Sequence, residues 1–292
     1  MTMTRTLPLS PRRQMAQRAL RHRGLILSGA VLLAIVLIAI LAPVIAPHDP
    51  YRQSLVTRLR PPVWLGGTWQ YPLGTDALGR DMLSRLIYGA RVSLMIGLIS
   101  AGVSMVIGTV LGISAGYFGG RVDSFVQYLI NVRLAMPVIL VALAAVSLLG
   151  GSLLIVTMVM GLLLWDRFAV VLRAATMQVR SMEYIAAADM LGATQPRILW
   201  KDVLPNVMSH LIVILTLEMA HAIILEAGLS FLGLGVQPPT PSWGLMISEG
   251  KELLLFDSWL IMIPGVALFL LVFSINMFGD GIRDVTAPEG RN

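Results

Sequence analysis

Long apolar runs separated by short polar links dominate the chain. The first, LILSGAVLLAIVLIAILAPVIA at 25–46, carries no charged residue. A membrane-crossing helix needs roughly 20 mainly apolar residues to cover about 30 Å of hydrocarbon. Five further runs meet that length: 92–116, 125–149, 152–173, 207–231 and 258–279. Pro137 lies inside the third run, with Asn131 and Arg133 near its first end, and Asp166 and Arg167 stand towards the second end of the fourth. The pattern predicts six transmembrane helices. Ahead of the second run, residues 71–94 read as an interfacial helix, with Leu83, Leu86, Ile87 and Tyr88 opposing Asp81, Ser84, Arg85 and Arg91. Between the fourth and fifth runs the pattern changes. EYIAAADMLGATQPRILWKDVLPN, 183–206, is short-period and charged. It predicts a helix over 183–191 with Tyr184, Ala188 and Leu191 on one narrow face. Gly192 then suits a left-handed C-terminal position, Pro196 the first turn of a second helix, and Pro205 the end or a kink of that helix.

Composition narrows the class. Of 292 residues, 56% are hydrophobic and 13% charged, against about 25% charged in soluble domains. The expected fold class is all-α integral membrane. With no cysteine, disulfides and thiolate metal sites are excluded, and the four scattered histidines form no HExxH helix. The net charge of +6 could point to nucleic acid, but the arginines flank apolar runs, so lipid headgroups and topology explain it better. Six arginines precede the first run (Arg5, Arg12, Arg13, Arg18, Arg21, Arg23). That run is too long for the h-region of a cleaved signal, so a retained helix is expected. Six spans put both termini on one side. The 173–206 loop shares that side and carries four basic residues, while the opposite 150–152 and 233–257 loops carry none and one (Lys251). The 47–91 segment dissents with six arginines, but long segments cross with less regard to charge. The expected orientation is N-in/C-in. The expected organisation is a cytosolic tail at 1–24, a first helix at 25–46, an extracytoplasmic segment at 47–91, a five-helix core at 92–281 containing the 173–206 loop, and a cytosolic tail at 282–292.

Two patterns inside the spans bear on packing and chemistry. Ser100, Ser104, Gly108, Gly112 and Gly116 recur every fourth residue, a small-residue stripe that lets a helix approach closely, either within the subunit or from another subunit. In LEMAHAIILEAG, Glu218, His221 and Glu226 share an arc of about 140° on the fifth span. Ionisable groups at such depth call for a functional hypothesis. A polar pair fixing helix packing, a hydrated path, or a metal contact would each use them. Asp166-Arg167 reads as a local or interhelical pair. The only Gly-Lys, in GLMISEGKE at 244–252, has the wrong glycine spacing and Glu252 where a P-loop needs Ser or Thr.

The 183–206 segment resembles the cytoplasmic EAA loop of ABC importer permeases. Ala187-Ala188, Gly192 and Leu204-Pro205 hold the spacing of that pattern, while Ala186 stands in place of its Glu and Asp202 in place of its Ile. Glu183 matches the peptide-importer form, which often reads EYxxAA. YPLGTDALGRDMLSRLIYGARVSL (71–94), SAGYFGGRVD (114–123), ILEAGLSFLGLGVQPPTPSWG (224–244) and NMFGDGIRD (276–284) are similar to the dipeptide/oligopeptide/nickel permease group, in order along the chain. The resemblance implies a type I ABC importer permease fold in the bacterial cytoplasmic (inner) membrane. Implied partners are a second homologous permease, two cytosolic P-loop ATPases, an extracytoplasmic substrate-binding protein and membrane lipids, with no nucleic acid. The chain would be no enzyme and would bind no cofactor, ATP being hydrolysed by the partner subunits. ATPase coupling would fall to Glu183, Tyr184, Ala187, Ala188, Leu191, Gly192, Leu204 and Pro205. Glu218, His221 and Glu226 would line the translocation path for a zwitterionic peptide, and Pro238, Pro239 and Trp243 would meet the binding protein, with Trp243 at the membrane interface. Dipeptides or oligopeptides are the expected cargo; nickel chelates and glutathione-like compounds are alternatives, and an ion-driven secondary transporter is the rival class.

Overall fold

Residue His22 starts the first membrane helix in a computed structural model that describes residues 18–286. Most of the expected 1–24 tail, and the end of the 282–292 tail, lie outside the described residues. The His22 Nδ1 accepts from the Leu25 amide at 3.0 Å, capping α1 (Arg23–Ile45). The second helix, α2 (Met82–Phe118), is one 37-residue element. At a rise of 1.5 Å per residue it is roughly 55 Å long, so its first turns stand outside the hydrocarbon. Asp81 caps it by accepting from the Ser84 amide at 2.9 Å. This corrects the interfacial helix expected at 71–94. The helix begins at Met82, runs unbroken into the span, and buries Ser84 and Arg85 while Leu83, Leu86, Ile87 and Tyr88 stay partly exposed.

The expected third span, 125–149, is also corrected. It is two helices, α3 (Gly120–Leu134) and α4 (Val138–Leu149), bent by 82°. Pro137 explains the break, having no amide to donate and a ring that collides with a preceding carbonyl. The fourth span is likewise interrupted, between α5 (Leu153–Leu163) and α6 (Asp166–Arg180). Carbonyls freed by such breaks need donors at membrane depth, and one side chain serves both. Arg133 Nε donates to the Leu163 carbonyl at 2.6 Å and Nη1 to the Met136 carbonyl at 3.3 Å.

The charged segment folds as two short helices, α7 (Glu183–Met190) and α8 (Gln195–Ile198), joined through Gly192 at φ +77. A π-helical turn, Leu199–Val203, leads into α9 (Leu204–Phe231). Pro205 therefore sits in the first turn of α9, where the wide turn before it makes room for the ring. The 233–257 loop holds a helix, α10 (Trp243–Gly250), before the last span, α11 (Trp259–Thr286).

The small-residue stripe of α2 packs inside the subunit. Ser100 Oγ donates to the Thr157 carbonyl at 3.0 Å and Ser104 Oγ to the Gly161 carbonyl at 2.8 Å, both at a sequence offset of 57. The same offset continues down the glycines. A Cβ on Gly112 would lie 2.7 Å from the Ala169 carbonyl oxygen, and one on Gly116 would lie 2.6 Å from that of Arg173. A constant offset means that α2 and α5–α6 run parallel. The chain between them must then cross the membrane in the opposite sense, so the bent α3–α4 pair counts as one crossing. Five helices are long and apolar enough to span, and the bent pair makes six. The hydrogen bond from His22 Nε2 to Asp284 Oδ2, 3.2 Å, brings the start of α1 and the end of α11 to one face of the bundle.

Helix α9 is the shared wall of three buried clusters. Ala222, Leu225 and Leu229 pack with α2, α4 and α5; Ala220 and Ile223 pack with α1, α2, α10 and α11; Val207 and Leu211 pack with α6 and the elbow. The stripe generates a direct test. Gly112→Leu should destabilise the purified protein by about 1–3 kcal/mol, the usual range for overpacking. Gly102→Leu, at a site where a Cβ meets nothing within 4 Å, should leave the detergent melting temperature near wild type.

Candidate functional site

Three places carry the polar chemistry, one at each end of the bundle and one midway. At the end where α1 begins and α11 stops, the α7–α8 elbow is held by few inward contacts. Ile185 and Ile198 are buried against Leu172 and Val179 of α6 and Val203 and Val207 beyond the elbow. The other side faces outward: Leu191 is 88% exposed, and Met190, Trp200 and Tyr184 are exposed with it. Tyr184 keeps one tie, its hydroxyl accepting from the side-chain Nδ2 of Asn206 at 3.0 Å. Ala187 is exposed and Ala188 half-buried. Of the apolar face read from the sequence, Tyr184 and Leu191 point away from the subunit and Ile185 supplies the inward anchor.

Midway, Glu218 lies halfway along the 28-residue α9. Its side chain is 1% exposed, with Arg167 Nη1 at 3.0 Å from Oε1 and His221 Nδ1 at 3.3 Å from Oε2. Arg167, at the start of α6, is thus an interhelical partner, and its neighbour Asp166 is buried and not part of the pair. Glu226 does not join this group. It is buried towards the far end of α9, accepting from Ser230 at 2.7 Å and from Ser242 at 3.0 Å. Ser242 also caps α10, accepting from the Leu245 amide at 3.1 Å. Glu226 therefore pins α10 to α9.

At the far end, Asp76 and Arg80 ahead of α2 and Arg85 in its first turn, all three buried, meet the half-buried Glu249 of α10. Asp76 Oδ2 lies 2.6 Å from Arg80 Nε and 2.5 Å from Arg85 Nη1. Glu249 of α10 completes the square, 2.9 Å from Arg80 Nη2 and 2.7 Å from Arg85 Nη1. Burial works against the Arg80 charge, but Glu249 and Asp76 outweigh it and hold the guanidinium above its ordinary value. A cavity of about 270 Å³ opens beside these groups, rimmed by Ser248 and Glu252. The sequence reading missed this network. Its trace was the excess of arginine in 47–91, on the side where basic residues are disfavoured.

Trp243 is corrected from an interface anchor to a core residue. It is 3% exposed, donates from Nε1 to the Leu86 carbonyl at 2.9 Å, and sits over Gly89. Pro238 and Pro239, just before it, are exposed.

Six crossings, an outward-facing elbow on the terminal side and ionisable groups halfway through define a multi-pass transport subunit. The fold is shared with a chain of the MetNI methionine ABC transporter in its inward-facing conformations, at a TM-score of 0.59 and 19% identity, covering 70% of this chain and 98% of that one. The chain belongs to the family described as binding-protein-dependent transport system inner membrane component, matched over residues 108–291, with the N-terminal transmembrane domain of oligopeptide transport permease C matched over 10–62. It is 40% identical to the di/tripeptide transport system permease protein DppC of Pseudomonas aeruginosa over 97% of this chain and 94% of that one. Identity is 38% with the dipeptide permease DppC of Haemophilus influenzae, over 92% of each. With the glutathione transport system permease GsiD of Pectobacterium atrosepticum it is 34%, over 96% and 91%. The chain is thus a multi-pass permease of the bacterial inner membrane.

The buried ion square predicts its own fragility. Removing one partner strands a buried charge, so Arg85→Ala should cost about 3–5 kcal/mol. Arg58→Ala, an exposed position in the same segment, should stay within about 0.5 kcal/mol. Thermal unfolding of the two purified variants separates them.

Proposed function

We propose that this chain is one of two permease subunits in an ATP-driven importer of short peptides, coupled to a pair of cytosolic P-loop ATPases. The observation that carries this reading is the elbow, an apolar surface turned outward on the terminal side and rooted in the two helices that flank it. Leu191, Met190 and Trp200 offer contact area, and Ala187 and Ala188 permit close approach. Glu183 and Tyr184 mark its start, and Gly192, at a φ that disfavours a Cβ, sets the bend. Leu204-Pro205 return the chain to the membrane. Closure of the ATPases would move this elbow as a body. The move would reach α6 through Leu172 and Val179 and α9 through Val207, rocking both helices and opening the path alternately to either side.

The chain would hydrolyse no ATP itself, because its GLMISEGKE stretch runs through α10 into the turn after it and lacks the P-loop spacing; the ATP would be hydrolysed by the partner subunits, and no cofactor is proposed for this chain. The cytosolic side is taken as the one carrying both termini, in keeping with the basic residues around the elbow. His221 would border the path midway, with Glu218 enclosed behind it. Pro238 and Pro239 form an exposed rim for a substrate-binding protein, stiffened by Trp243 behind them. Glu226 would set the outer gate by fixing α10. Peptide cargo is supported by the dipeptide and di/tripeptide permeases among the relatives. A glutathione-like cargo is the second reading, supported by the relative named for glutathione transport.

Affinity purification of the tagged chain from its native membrane tests the coupling role. Wild type should bring down a P-loop ATPase and a second permease, as identified by mass spectrometry. Leu191→Glu alters an exposed residue, so the fold and the second permease should be retained. The ATPase should be lost, with at least a tenfold drop in ATP-dependent peptide uptake, the consequence of a buried unpaired charge at a contact. Retention of the ATPase by Leu191→Glu would remove the elbow from its role.

A further inference from the structure

Arg167 is an ionisable residue at membrane depth that nevertheless leaves the subunit surface uncovered. Its pairing with Glu218, halfway along α9, sets its depth, and its side chain is 59% exposed in the single chain. His221, on the same carboxylate, is 31% exposed, whereas Glu218 is enclosed. A guanidinium directed at lipid is costly, and such residues face a bundle interior or a water-filled cavity. The face carrying Arg167 and His221 is therefore one that lipid does not cover.

The way the charges are used gives that face a sign. Both oxygens of Glu218 are already approached, one by Arg167 Nη1 and one by His221 Nδ1. The negative charge is enclosed and spoken for. The Nε–Nη2 edge of Arg167 has no protein acceptor among the described residues. That edge presents two parallel N–H groups, the arrangement that grips a carboxylate through paired, charge-assisted hydrogen bonds. Glu218 holds the guanidinium by its other nitrogen and so fixes the direction in which the open edge points.

We infer that Arg167, oriented by Glu218, is a carboxylate-binding residue of the translocation path, and that it takes the C-terminal carboxylate of the peptide cargo. This rests on the peptide-importer reading above and deepens it. His221 lies on the same exposed side, where its imidazole extends the polar surface beside the bound group. The site reads the carboxylate end of a peptide.

The test uses the whole importer in proteoliposomes, with the binding protein and each ligand at saturating concentration, so that selection by the binding protein drops out of the maximal rate. A dipeptide is compared with its C-terminal amide. In Arg167→Gln the maximal rate for the dipeptide should fall about tenfold, the scale of one lost charge-assisted pair. The amide rate should stay within about twofold of wild type, and the subunit composition should be unchanged. Arg167→Lys, which keeps the charge without the paired edge, should fall in between. Equal losses for both ligands with an intact complex would overturn the inference and leave Arg167–Glu218 a packing pair. Loss of the second permease from the Arg167→Gln complex would also overturn it, assigning the open edge to a carboxylate of that subunit. If wild type moves neither ligand, the peptide reading itself fails. An unchanged dipeptide rate in Arg167→Gln defeats only the carboxylate site.

Discussion

The parallel contact between α2 and α5–α6 is the constraint on which the remaining architecture hangs. Two helices can run this close only if one presents little beyond its backbone, and α2 does so at Ser100, Ser104, Gly108, Gly112 and Gly116. Lipid provides no hydrophobic drive for such an approach, so contact area and hydrogen bonding have to supply it. The serine hydroxyls turn towards carbonyls of the fourth span, and the glycines take over where that span is interrupted. Because the contact keeps one offset across the break, α5 and α6 stay aligned although their ladder of hydrogen bonds is disturbed. The crossing sense of α3–α4 follows from the same contact, and so does the place where the elbow emerges.

Breaks in membrane helices expose carbonyls, and each break here is answered by a cation or a hydroxyl already in the chain. Arg133 reaches both the bend at Met136 and the end of α5 at Leu163. At the outer end the logic is reversed. Arg80 and Arg85 stand where basic residues are normally sparse, but Asp76 and Glu249 neutralise them inside the protein. These two arginines therefore say nothing about topology. The apparent dissent of the 47–91 segment from the charge rule was partly a count of residues that never meet the lipid surface.

This contrast marks what the sequence made legible. Span positions, the elbow, the left-handed Gly192 and the small-residue stripe are local patterns, set by apolar run length, helix periodicity and backbone freedom. The 82° bend was half visible in Pro137, which predicts a break but carries no direction. The two faces of residues 81–91 are visible too and predict an interfacial helix, because periodicity shows that a helix has two faces and cannot show which one is covered. Asp76 and Glu249 are far apart in the chain, and only the docking of α10 brings them together. Arg167 was seen beside Asp166, its neighbour in sequence, while its partner lay on another helix. Trp243 was assigned to the interface from its residue type, whereas the gap left by Gly89 draws it into the core.

The position of Arg167–Glu218 relative to the elbow connects these features. Helix α6 begins at Asp166, next to Arg167, and its other end runs into α7; the elbow then delivers the chain to α9, which carries Glu218 halfway along. The two helices that meet in this ion pair are thus the two that leave the elbow. Near the elbow they are held together by Leu172, Val179, Val203 and Val207, a packed apolar contact that transmits displacement with little give. Above the pair they diverge into different partners, α6 giving way at the break to α5 and α9 continuing to Glu226 and α10. In the proposed importer, a rigid shift of the elbow would act on both arms of the pair together, and the first polar group it would reorient is the open edge of Arg167. The ion pair then has a reason to sit at that depth. It would be the point where motion imposed from the cytosolic side arrives at a charge facing the path, held on a carboxylate that is buried.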